Sequence, residues 1–106
     1  MHIPVSFDDP QRDDRIIVQS FIKELCRRDD QDNHGNPILG GRRPNIFPIE
    51  EIQRAVLGAF SLDRVRLALR GYILQHRDNE PLELLGDETN VRLTDAGRAR
   101  CDEYGM

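Results

Sequence analysis

Arg64, Arg66, Arg70 and Arg77 fall within DRVRLALRGYILQHR, residues 63 to 77, and their spacing bears on what the chain can bind. Steps of four and seven place Arg66, Arg70 and Arg77 on one face of a helix, if the helix runs that far, with Arg64 off that row near its start. A guanidinium is a planar fork that can bond two acceptors on guanine or on a phosphate, so such a row can read or grip nucleic acid. Gln75 lies close by. The same arginines opposite a buried stripe also describe an ordinary solvated helix face.

Other chemistry has less support. Asp30, Asp32 and Gly35 match the first, third and sixth positions of a calcium-binding loop, where oxygens surround the ion and glycine makes the turn. Its fifth position is His34 and its twelfth, where a bidentate glutamate belongs, is Gly41, so no metal site is expected. Arg42 and Arg43 in GGRRP form a small basic group able to reach an acidic partner or a phosphate. His2, His34 and His76 stand apart, with no serine or cysteine motif and no glycine-rich phosphate cradle, so neither catalysis nor a cofactor is expected. Cys26 and Cys101 form no CxxC pair and have no histidine at ligand spacing. They are expected as buried or half-buried thiols rather than as a disulfide or a redox pair.

At 106 residues, 38% hydrophobic and 32% charged, the chain is expected to form a single domain over residues 1–106 with one modest core. No apolar run reaches the ~18 residues of a membrane span, and no charged-then-apolar leader opens the chain. A cytoplasmic protein with no membrane partner is the expectation. The net charge of −4 argues against nonspecific coating of nucleic acid, whose affinity comes from phosphate neutralisation. Residues 48 to 77, with five basic and three acidic groups, are the only segment with a positive balance; residues 1 to 47 have seven and eight, and 78 to 106 have three and eight.

These side chains need elements to hold them. Asp9 followed by Pro10 reads as a helix cap and first turn, and Ile17, Val18, Phe21, Ile22 and Leu25 recur at helical spacing, giving a first helix to about Arg28. Residues 1–8 precede it as a tail. DDQDNHGNPILGGRRPN, residues 29–45, lacks periodicity and reads as a long loop. NIF at 45 to 47 can form a very short strand, and Pro48 opens a second helix whose buried face is Ile49, Ile52, Val56 and Phe60. Ser61 caps a third helix with the stripe Leu62, Val65, Leu69, Tyr72 and Ile73. Gly71 inside it costs roughly 1 kcal/mol against alanine. PLELLG and NVRLT then read as two strands around a polar tip, Val91 and Leu93 facing one way and Arg92 the other. Thr94 caps a last short helix.

The run VRLTDAGRA, residues 91 to 99, resembles the return strand and following helix of winged helix-turn-helix proteins. It is similar in particular to the V-x-L-T-x-x-G-R junction of the multiple-antibiotic-resistance-regulator family. With the order of elements, the resemblance covers residues 9 to 104 in outline. The chain departs from that family in having no room for the long flanking helices by which it dimerises. The fold implied is α+β and mostly helical: a three-helix core, a two-stranded β-hairpin wing and a short C-terminal helix.

In such folds the third helix enters the major groove and the wing lies along the backbone or the minor groove. The resemblance therefore implies a DNA-binding transcriptional regulator whose contacts are Arg64, Arg66, Arg70, Gln75 and Arg77, with Arg92 from the wing and Arg42 and Arg43 from the loop. Two copies, as a homodimer, would be needed for useful affinity. Yet the wing bears Glu83 on its outgoing strand and Asp87 and Glu88 at its tip, and carboxylates repel phosphates. A protein-interaction module built on the same fold, using the apolar edge of the wing or the loop 29–45, is the alternative.

Overall fold

The fold comes from a computed structural model, which describes residues 10–38 and 40–104. It is α+β with helices dominant and a small antiparallel sheet. In chain order the elements are α1 (Pro10–Asn33), β1 (Phe47–Pro48), α2 (Ile49–Val56), α3 (Leu62–Gln75), β2 (Leu82–Leu85), β3 (Asn90–Leu93) and α4 (Asp95–Ala99), with short 3-10 segments at Arg77–Asn79 and Cys101–Tyr104. The sheet order is β1-β3-β2. Its register sets Leu82 against Leu93, Glu83 against Arg92 and Leu84 against Val91. Phe47 lies opposite Val91 on the other edge. Among the described residues no helix is long and apolar enough to cross a membrane.

One core joins all the layers. The stripe Ile17, Val18, Phe21, Ile22 and Leu25 of α1 is buried as its spacing requires, against Phe47, Ile49, Ile52, Val65, Leu69, Leu82, Val91 and Leu93. On β3, Val91 and Leu93 are buried, whereas Arg92 on the opposite face is partly exposed. Ser61 caps α3 by accepting the Arg64 amide at 3.1 Å, and Thr94 caps α4 by accepting the Gly97 amide at 3.1 Å. The cap expected at Asp9 and the tail 1–8 lie outside the described residues.

Several details differ from the expectations, among them β1, which is Phe47–Pro48 rather than residues 45 to 47. The first helix runs five residues past Arg28, to Asn33. Its acidic last turn opposes the helix dipole, but Asp29 and Asp32 are each taken by a distant arginine: Asp29 accepts Arg98 Nε at 2.8 Å and Asp32 accepts Arg42 at 2.7 and 3.0 Å. The unstructured span is shortened accordingly. Pro48 is the cap of α2, in extended conformation, and not its first helical residue.

In α2, Val56 is 41% exposed and Leu57 takes the core position instead. The helix ends at Val56, so the chain turns and brings the next side chain inward, while Gln53 Nε2 holds that turn by donating to the Phe60 carbonyl at 2.8 Å. Lastly, Cys26 and Cys101 are joined as a disulfide with Cα atoms 5.8 Å apart, correcting the expectation of separate thiols. They stand 75 positions apart, so nothing local announces the pairing.

Candidate interaction face on α3 and the hairpin tip

The outward ridge of α3 is formed by Asp63, Leu67, Arg70 and Leu74, which recur every three or four residues and are all exposed. Leu67 and Leu74 are 57% and 61% exposed, the most exposed large apolar side chains among the described residues. Arg70 stands between them, and it does not reach freely into solvent. Its Nε lies 2.7 Å from Glu88 Oε2 and its terminal nitrogen 2.6 Å from Glu88 Oε1, a two-pronged pair between helix and hairpin tip.

The hairpin tip is shaped to make that contact. Gly86, Asp87 and Glu88 all have positive φ, at 56°, 56° and 65°. A left-handed glutamate is disfavoured for an L-residue, by roughly 1–2 kcal/mol. Two arginines of α3 hold it there: Arg70 bonds its carboxylate, and Arg66 Nε donates to its backbone carbonyl at 3.0 Å. The Arg70 guanidinium bonded to the ionised form, with Arg66 nearby, holds the Glu88 carboxyl below the usual carboxylate range.

The other candidate residues lie elsewhere. Arg64 reaches across to α1, where its terminal nitrogen is 2.7 Å from Asp14. Arg66 also bonds Asp63 at 3.3 Å. Gln75 is exposed at the end of α3, beside a groove of about 360 Å³ between α1 and α3. Arg77 leaves the helical row, because α3 ends at Gln75 and Arg77 begins the 3-10 turn. Arg92 pairs with Glu83 across the hairpin at 3.1 and 3.2 Å and holds that carboxyl low.

Arg42 anchors the loop. Besides Asp32, its guanidinium donates to the carbonyls of Arg43 and Ile46 and lies 4.3 Å from the centre of the Phe47 ring. Arg43 is exposed in the same loop. The Asp32 oxygens offered to a cation by the calcium-loop pattern are taken up by Arg42 and by the Asn45 amide. Thus the fold brings together Arg66 and Arg70, with Glu88, and disperses the rest.

Leu67 and Leu74 went unnoticed in the sequence, although a signal was present. α3 has more apolar residues than its buried stripe needs, and these two fall on the opposite face. Comparison with protein-family models, with curated proteins and with solved structures finds no match.

Proposed function

We propose that the chain is a winged helix-turn-helix domain that serves as a protein-interaction module, with the outward ridge of α3 as its binding face. The element order, with β1 pairing the returning strand of a β2–β3 hairpin, supports the winged-helix reading, as does the helix–turn–helix formed by α2, residues 57–61 and α3. The observation that carries the interaction reading is the make-up of the ridge. Two leucines dominate it, and its one guanidinium is already neutralised by Glu88.

The rival reading has this ridge enter DNA. It requires Arg64 to leave Asp14, Arg66 to leave the Glu88 carbonyl and Arg70 to leave the Glu88 carboxylate, and it turns Asp63 and Glu88 toward phosphates. A neutralised arginine releases no counterions from DNA, and the overall charge of −4 adds repulsion. Titration of the protein against random duplex DNA at low and at moderate salt tests the point. No binding is expected at either. Affinity that falls steeply as salt rises would overturn the interaction reading in favour of a DNA-binding regulator acting through Arg66 and Arg70.

A further inference from the structure

Two ties of different chemistry join α1 to the last turns of the described chain: the Cys26–Cys101 bridge, and the Asp29–Arg98 pair at 2.8 and 3.2 Å. Asp29 follows Cys26 by three positions and Arg98 precedes Cys101 by three, so the ties stand side by side. They serve different lengths of chain. α4 is secured without the bridge, by Arg98, by Gly97 seated against the Pro81 carbonyl and by the Thr94 cap. Arg100, bonded to the Tyr72 hydroxyl at 3.4 Å, extends that hold by one residue. Asp102 and Glu103 are exposed and make no side-chain hydrogen bond or ion pair with the described residues, so the covalent bond carries their attachment to α1. From this division of labour we propose that the bridge is a thiol–disulfide exchange site, entered at Cys101 by an uncharged or cationic dithiol, whose reduction unlatches residues 101–104 from α1. Glu103 lines a groove with Gln19, Ser20 and Lys23 of α1, so unlatching bares that stretch together with Cys26.

The bridge is reachable from solvent. It forms part of the wall of a surface groove of about 320 Å³, with Cys101 half-buried and Cys26 only 2% exposed. An incoming thiolate therefore bonds to the Cys101 sulfur. The Cys26–Cys101 bond breaks, and its electron pair leaves on the Cys26 sulfur, which takes a proton from water. The second thiol of the reductant then attacks its own sulfur in the mixed disulfide and releases Cys101 as a thiol. The protein gains two electrons and two protons, and the dithiol that loses them ends as a cyclic disulfide. Charge at the rim selects the reagent. Arg98 is shared by Asp29 and Asp95, Asp30 meets the ring of His34 at 3.4 Å, and Asp102 has no partner among the described residues. An anionic thiol is repelled from this groove and a cationic one is not.

Exchange with two small thiols tests the proposal. Oxidised full-length chain is mixed with cysteamine or with mercaptoacetate and quenched early with an alkylating agent. Peptide masses should place the mixed disulfide on Cys101 and the alkyl group on Cys26. Measured against a small uncharged disulfide, the rate per thiolate should favour cysteamine over mercaptoacetate by at least about threefold at low salt. Added salt, or Asp30→Asn combined with Asp102→Asn, should erase that preference. After reduction with dithiothreitol, hydrogen exchange should quicken at residues 101–104 while the circular dichroism stays that of the oxidised chain, and Cys101→Ser should match the reduced wild type. A mixed disulfide on Cys26, equal preference for the two thiols, or unchanged exchange at 101–104 overturns the proposal. So does loss of the helical signal on reduction, which would make the bridge a brace for the whole fold. These outcomes leave the reading of α3 untouched, since the two sites share no residue.

Discussion

Arg70 on α3 grips Glu88 at the hairpin tip through both carboxylate oxygens, at 2.6 and 2.7 Å, across eighteen positions of sequence. This pair ties the β2–β3 hairpin to the helix it flanks. It also reverses the meaning of the acidic tip: in place of a hairpin repelled by phosphate, the tip supplies the anion that satisfies the helix. The scaffold that holds the pair continues through β3 into α4.

Gly97 is the tightest point of that scaffold. A Cβ there would stand 2.1 Å from the Pro81 carbonyl oxygen and 2.9 Å from Leu93 Cδ2. The oxygen cannot retreat easily, because it accepts the Thr94 amide at 3.1 Å. Gly97→Ala is expected to destabilise the fold by at least about 3 kcal/mol in chemical denaturation. Gly71→Ala, which meets open space within a helix, should instead stabilise a dilute sample by about 0.5–1 kcal/mol. Equal effects at the two sites would contradict the packing described.

The Cys26–Cys101 bridge fastens the C-terminal 3-10 segment to α1. For a sequence separation of 75, loss of the cross-link should lower stability by about 4 kcal/mol on the loop-entropy account. Thermal unfolding with and without a thiol reductant measures this, with Cys101→Ser as the unoxidisable control. Reductant that changes wild type and Cys101→Ser alike would show that the bridge is not formed in solution. The cytoplasmic setting expected from the sequence would hold this pair against a reducing pool.

Asp29 is 3% exposed and gathers Arg98, Asn45 and Asn33. It joins the end of α1 to α4 and to the loop. Asp29→Ala strands those donors, although Arg98 is partly exposed and can turn to water. The expected loss is therefore about 1–2 kcal/mol, below that of a fully buried pair. Hydrogen exchange should quicken through residues 34–46. Unchanged exchange there would show that the loop is held without Asp29.

Acid should weaken the fold in a defined window. Guanidinium groups hold four carboxyls below the ordinary range: Arg27 and Arg28 at Glu24, Arg42 at Asp32, Arg92 at Glu83 and Arg70 at Glu88. The unfolded chain then binds more protons than the folded one between the lowered and ordinary values, so stability rises with pH across that interval. The contribution is fully present above the unfolded carboxyl values of about 4 and is lost as pH falls through the lowered ones. Asp32 and Glu24, the least exposed of the four, should carry most of it. Melting temperature should stay level from about pH 7 to about pH 5 and drop below about pH 4. Asp32→Asn should flatten the slope; a variant with the wild-type slope would exclude the Arg42 pair as a cause.

Much of this architecture could be read from local pattern. Ser61 and Thr94 are short oxygen-bearing side chains placed just before helical periodicity, and each caps through a bond that spans three residues. The alternation at Val91, Arg92 and Leu93 needs only the two-residue period of a strand. The end of α1 was harder to read. Asp29 and Asp32 continue the helix because of Arg98 and Arg42, partners 69 and 10 positions away, which no local rule could supply.

What the amino-acid order determined by itself was therefore the set of elements and their buried faces, since propensity, capping and periodicity act over a few residues. What only the tertiary structure decided was the state of the charges and the fate of the surplus apolar residues. Whether Arg70 is a free cation depends on where a left-handed hairpin tip eighteen positions later comes to rest. Whether Leu67 and Leu74 are covered depends on how α1, the sheet and α3 divide the limited surface of one small core. Contacts of that kind arise from three-dimensional closure, and short-range sequence pattern does not encode it.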